Sequence, residues 1–140
     1  MKSVISYLNF DGNCRDAVKF YQRCLAGELH VMPFSEAPGD FPKEAKDRVM
    51  HASVIKDGVV LLMASDTMPG APFKQGNNFY ICVAPESAEE LERLFTAFSE
   101  KGAVTMPLQD TFWGARFGML TDQFGIQWMF NLNEPGQQPS

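Results

Sequence analysis

Histidine is almost missing from this sequence, with only His30 and His51 among 140 residues. Cysteine is nearly as scarce. Cys14, Cys24 and Cys82 make an odd number with no CxxC spacing, which argues against a disulfide framework or a zinc cluster. Reduced thiols in a cytoplasmic protein are the expectation. Positive charge is also in deficit: twelve Lys and Arg against seventeen Asp and Glu leave a formal charge of −5. The basic residues are scattered, so the clustered cations that grip nucleic-acid phosphates are absent. No apolar run approaches the roughly 20 residues that span a bilayer. The opening MKSVISYLNF turns polar too soon for a secretory leader. The chain has no GxGxxG turn, P-loop, GxSxG elbow or activated-cysteine setting.

Apolar residues are plentiful at 45%, enough for the core of one domain. VISYLNF alternates as a strand, with Leu8 and Phe10 on one face and Ile5, Tyr7 and Asn9 on the other. A helix follows, with Asn13 as its N-cap, apolar residues from Cys14 to Leu25 at helical spacing, and Gly27 as its stop. ELHVMPF reads as a strand. RVMHASVIKDGVVLLMAS reads as a hairpin turning at Asp57-Gly58. The linker DTMPGAPFKQGN is rich in Pro and Gly. Beyond it NFYICVA is a strand, and Ser87 with Glu90 forms a capping box for a helix carrying Leu91, Leu94, Phe95 and Phe98. Lys101 and Gly102 end that helix, and strands follow around VTMPLQD, RFGMLT and GIQWMFN. The reading is α+β: a first βαβββ module over residues 1–66, a linker over 67–76, a second module over 77–133 and a flexible tail over 134–140.

Two such modules can bury their helices on one side, while the opposite faces form a curved mixed sheet enclosing a cup. A two-residue turn at Asp57-Gly58 pairs Lys56 with Val59, Ser53 with Leu62 and His51 with Ala64, so that His51, Ser53 and Leu62 share a face. Tyr7, Asn9, His51, Ser53, Tyr80 and Gln127 are the expected lining, with Phe112 and Trp113 at the mouth. Histidine titrates near neutrality and could serve as a general base. The alternative for His51 is a core imidazole satisfied by a strand neighbour, and in an empty cup it should bond to water or to Ser53. Tyr7 and Tyr80 either wall a ligand or close an interface. Arg116 either pairs with an anionic ligand or makes a surface salt bridge. His30 reads as an edge residue without a role. Trp128 and Phe130 alternate onto the helix side and belong to the core.

LNFDGNCRDAVKFYQRCLAGE, VMHA, LMASDTMPG and MPLQDTFWGARFGMLTDQFGIQWMFN resemble the PhnB-like branch of the vicinal oxygen chelate superfamily. That superfamily includes glyoxalase I, the extradiol dioxygenases and the bleomycin- and fosfomycin-resistance proteins. The resemblance covers nearly the whole chain and implies the glyoxalase/bleomycin resistance fold, a small-molecule site and a homodimer. Members that use a metal carry His or Glu at positions matching Ile5, Leu62, Asn78 and Met129. Three of these are apolar and Asn is a weak donor, so no metal and no other cofactor is expected. The branch is sometimes labelled a ubiquinone-pathway methyltransferase, but the chain lacks the Gly-rich turn that commonly holds a methyl donor. Binding of a small organic molecule without metal is therefore the first expectation, with no nucleic acid or membrane partner. An enzyme of the same superfamily is the alternative, using other metal ligands or His51 as base.

Overall fold

The computed structural model of the protein describes residues 1–134. Its elements run β1 (Tyr7–Phe10), α1 (Cys14–Leu25), β2 (Glu28–Pro33), β3 (Val49–Lys56) and β4 (Val59–Asp66). Then follow β5 (Ile81–Val83), α2 (Ala88–Ser99), β6 (Ala103–Asp110), β7 (Ala115–Thr121) and β8 (Gln127–Asn133). The chain divides into two compact units between Lys74 and Gln75, inside the linker read at 67–76. Of the tail expected over 134–140, residues 135–140 lie outside the described residues.

Each unit holds one four-stranded mixed sheet, ordered β1-β4-β3-β2 in the first and β5-β8-β7-β6 in the second. The first strand of each unit lies parallel to the last, and the remaining pairs are antiparallel. The architecture is α+β, with a helix against one face of each sheet. In the first unit α1 buries Ala17, Val18, Phe20, Tyr21 and Cys24, and the sheet turns Leu8, Phe10, Ala52, Val54, Leu62 and Ala64 inward. In the second, Phe98 packs tilted against Trp128 at 4.4 Å between ring centroids and Phe95 meets Phe130 edge-on at 5.3 Å. Trp128 and Phe130 are core, as their alternation predicts.

The helix ends depart from expectation in an instructive way. Asn13 makes no side-chain cap bond. Instead Asp66, at the end of β4, accepts through Oδ1 from the Gly12 and Cys14 amides at 2.8 and 3.0 Å, and through Oδ2 from the Val49 amide at 2.9 Å. One buried carboxylate thereby satisfies donors that a helix start leaves orphaned. At the other end Ala26, not Gly27, takes the left-handed conformation. Gly27 is needed for a different reason: a Cβ there would stand 2.7 Å from the Ile55 carbonyl oxygen. The second unit repeats this, with Lys101 left-handed and a Gly102 Cβ placed 2.5 Å from the Thr121 oxygen. Half of the capping box of α2 forms as expected, with Ser87 Oγ accepting from the Glu90 amide, while the Glu90 carboxylate reaches one residue further back and accepts from the Glu86 amide.

Asp57 and Gly58 make the expected turn, and Lys56 pairs with Val59. The register then slips at a bulge. Val54 pairs with Leu62, Ser53 with Met63 and Ala52 with Ala64. The expected pairs Ser53–Leu62 and His51–Ala64 are therefore corrected. The extra residue absorbed in the run VVLLM turns Leu62 toward α1, where it is 2% exposed, and sends Met63 to the opposite face.

Candidate ligand-binding site

The face of the first sheet that α1 does not cover is built by strand alternation and by lateral pairing. Tyr7 pairs with Met63 and Asn9 with Ser65 across β1 and β4. Ser53 pairs with Met63 on one side and with His30 on the other, and His51 pairs with Met32. Residues paired across a sheet share a face, so Tyr7, Asn9, His51 and Ser53 are brought together as expected. The most direct contact is a hydrogen bond of 3.0 Å between Tyr7 Oη and His51 Nδ1, with the two rings 5.7 Å apart. His51 thus bonds to Tyr7 and not to Ser53. Ser65 Oγ donates to Asn9 Oδ1 at 3.2 Å. Ser53 is nearly buried, whereas Tyr7 and Met32 stay open to solvent. His30 sits on the edge strand, mostly exposed, 3.9 Å from the Glu28 carboxylate.

The Tyr7–His51 bond leaves the imidazole two roles, set by which partner donates. If the phenol donates, the neutral ring carries its proton on Nε2 and presents a donor. If Nδ1–H donates, Nε2 is free to accept a proton.

The second unit distributes the remaining candidates. Tyr80 precedes β5 and is partly exposed. Gln127 opens β8 on the face away from α2, and its Nε2 donates to the Phe79 carbonyl at 2.7 Å. Phe112 is almost fully exposed in the turn between β6 and β7. Trp113 packs edge-on against Phe112 and Phe117. Arg116 pairs with Leu132 on the α2 side, and its guanidinium bridges Glu92 at 3.3 Å and Asp110 at 3.4 Å. The surface salt bridge is the role the structure shows for Arg116, because the strand turns it away from the open face.

The donor set for a metal can be tested on these residues. Asn9 and Cys82 are counterparts in the two units; Asn9 neighbours Ser65 and Cys82 neighbours Met129. The counterpart of Met129 is therefore Ser65, and the expected match with Leu62 is corrected. Neither Ile5 and Ser65 in the first unit nor Asn78 and Met129 in the second supplies the imidazole, thiolate or carboxylate ligands that zinc, nickel or iron calls for. Among the described residues, no group of three or more His, Cys, Asp or Glu converges on one point. No helix among them is long and apolar enough to cross a membrane.

Two residues missed by the sequence reading matter to the frame: Asp66, and Asp122 in the turn before β8. Asp122 accepts from the Phe124 and Ile126 amides and from the Trp128 indole. An aspartate ending a strand before a turn is a weak signal, readable only once its partners are known.

The paired βαβββ units and their strand order define the glyoxalase/bleomycin resistance fold. A protein of that class from Frankia sp. EAN1pec has the same fold, with a TM-score of 0.70, at 15% identity over 98% of this chain and 96% of that one. More narrowly, residues 2–130 match the family described as 3-demethylubiquinone-9 3-methyltransferase, and the chain belongs to that PhnB-like family of the vicinal oxygen chelate superfamily. Protein PA1353 from Pseudomonas aeruginosa is 42% identical with a TM-score of 0.85, covering 95% of this chain and 98% of that one. A putative 3-demethylubiquinone-9 3-methyltransferase, PhnB protein, from Bacillus cereus is 25% identical with a TM-score of 0.74, covering 94% and 99%. Protein YjdN of Escherichia coli K12 is 35% identical, with 96% of each chain covered.

Proposed function

We propose that this PhnB-like protein binds a small organic molecule against the open face of its first sheet, without the metal usual in the superfamily. The Tyr7–His51 hydrogen bond carries this reading: an exposed phenol locks an imidazole in place where no helix covers it. Such sites pair apolar walls with a few directional polar groups. Tyr7 serves as the wall, while Asn9, His51 and Ser53 supply the polar contacts. The protein works as a homodimer, and its three free thiols favour a reducing compartment. Methyl transfer is not part of this reading, since neither sheet has the repeated parallel strands and glycine-rich turn that commonly hold a methyl donor.

A second reading rests on the same bond. If Nδ1–H donates to Tyr7, Nε2 is a free base and the site could abstract a proton. Nitrogen NMR of the His51 ring separates the two tautomers. Ligand-detected NMR against a panel of small organic compounds tests the site itself. Compounds that bind should shift the His51 signals, and His51→Ala should abolish their binding while the melting temperature stays within a few degrees. Large destabilisation by His51→Ala, with the same compounds still bound, would make His51 a core residue and overturn the proposal.

A further inference from the structure

The open face of the second sheet carries a different chemistry, set by register. Met106 pairs with Met119, Met119 with Met129, and Met129 with Cys82. One lateral row therefore crosses all four strands, β6-β7-β8-β5, with a sulfur side chain at every step. Trp128 and Phe130, on either side of Met129, pack against α2, so the row lies on the face away from the helix. Cys82 is exposed, and the three methionines are half-buried.

Neighbouring strands lie roughly 4.7–4.9 Å apart, and Cys82 and Met129 sit side by side on the parallel pair β5–β8. A Cys and a Met at that spacing can both bring sulfur to one ion, because the thioether arm has three rotatable bonds. Thiolate and thioether ligands select soft cations over the hard ones that oxygen donors hold. We propose that Cys82 and Met129 form a site for a soft monovalent d10 cation, copper(I), with Met119 and Met106 as successive thioethers leading to it along the row. On binding, the Cys82 thiol gives up its proton and the sulfur lone pair makes the Cu–S bond: Cu⁺ and R–SH become R–S–Cu and H⁺, with no change of oxidation state. Affinity should therefore rise with pH.

Anaerobic titration of the full chain with copper(I) against bicinchoninate, a competing chelator, tests this. One equivalent should bind per chain. Cys82→Ser and Met129→Leu should each weaken binding at least about tenfold, since even outer-shell changes at metal sites cost about that much. Met119→Leu should cost less and Met106→Leu least. His51→Ala should leave the affinity unchanged, which separates this site from the first sheet. Silver(I), followed by methionine methyl NMR, should shift Met129 before Met106. If Cys82→Ser abolishes binding while Met129→Leu leaves it unaltered, the ion is held by an accessible thiol alone and the proposal fails. It fails equally if the unaltered chain cannot compete with bicinchoninate.

Discussion

The two units share one topology and fill it differently. In the first, bulk sits on the helix: Phe20 and Tyr21 of α1 press on a sheet whose inward residues include Ala52, Val54 and Ala64. In the second, rings sit on both layers, Phe95 and Phe98 on α2 and Trp128 and Phe130 on the sheet. Trp128 occupies the place held by Ala64, because Leu8 pairs with Ala64 as Ile81 pairs with Trp128. Gly118 in turn makes room, since a Cβ there would lie 2.8 Å from the Phe95 ring and 2.9 Å from Leu108. The open faces diverge as well, with hydroxyl, amide and imidazole groups on one and a sulfur row on the other. A duplicated fold fixes where side chains point, while core volume can move between layers and surface chemistry is free to change.

The sharpest way to break this comparison is Trp128→Ala. It should cost about 3–5 kcal/mol, because the second sheet has no other side chain of that size and Asp122 loses its indole donor. Chemical denaturation should show that loss. Asp66→Ala should follow, at about 3 kcal/mol, since the buried Cys14 and Val49 amides would lose their acceptor. Amide exchange should rise at the start of α1 while α2, capped by its own Ser87, is unaffected. Gly27→Ala and Gly102→Ala should each cost about 1–3 kcal/mol through overpacking, and similar losses in both units would confirm that the two glycines do the same job.

The smallest effect at neutral pH is a pH dependence that is strongest in the first unit. The Cys14 thiol is pushed up from its ordinary value of 9.0 to about 12, first by burial and then by the neighbouring Asp66 carboxylate. Above pH 9 the unfolded chain releases this proton and the folded one keeps it. The contribution is therefore complete below pH 9 and falls as pH rises toward 12. Cys14→Ala should flatten the alkaline fall in melting temperature, whereas Cys82→Ala should change it less. A thiol reagent at pH 8 should label exposed Cys82 well before Cys14 or Cys24.

Much of this frame was legible in the sequence. The Asp57-Gly58 turn, the Ser87–Glu90 box and the core placement of Trp128 and Phe130 follow from local chemistry and strand period, which act over a few residues. The bulge near Leu61 did not show, because VVLLM is apolar on both faces and no alternation marks the extra residue. Asp66 escaped for a related reason: its partners lie 52 and 54 residues away along the chain. Of the candidate site, Tyr7, Asn9, His51 and Ser53 were readable by alternation. The Tyr7–His51 bond and the salt bridges of Arg116 depend on lateral neighbours that only the sheet order reveals.

The Asp66 clamp bears on how the first unit assembles. The start of α1 finds its acceptor only when β4 is in place, so helix and hairpin must be won together. A nascent chain cut short before residue 66 would hold α1 as a fraying helix, however strong its apolar stripe. Non-local closure of this kind slows folding, and it ties the first βα turn and the last strand into one cooperative step. The second unit, which caps its helix from within, is free to begin with α2 alone.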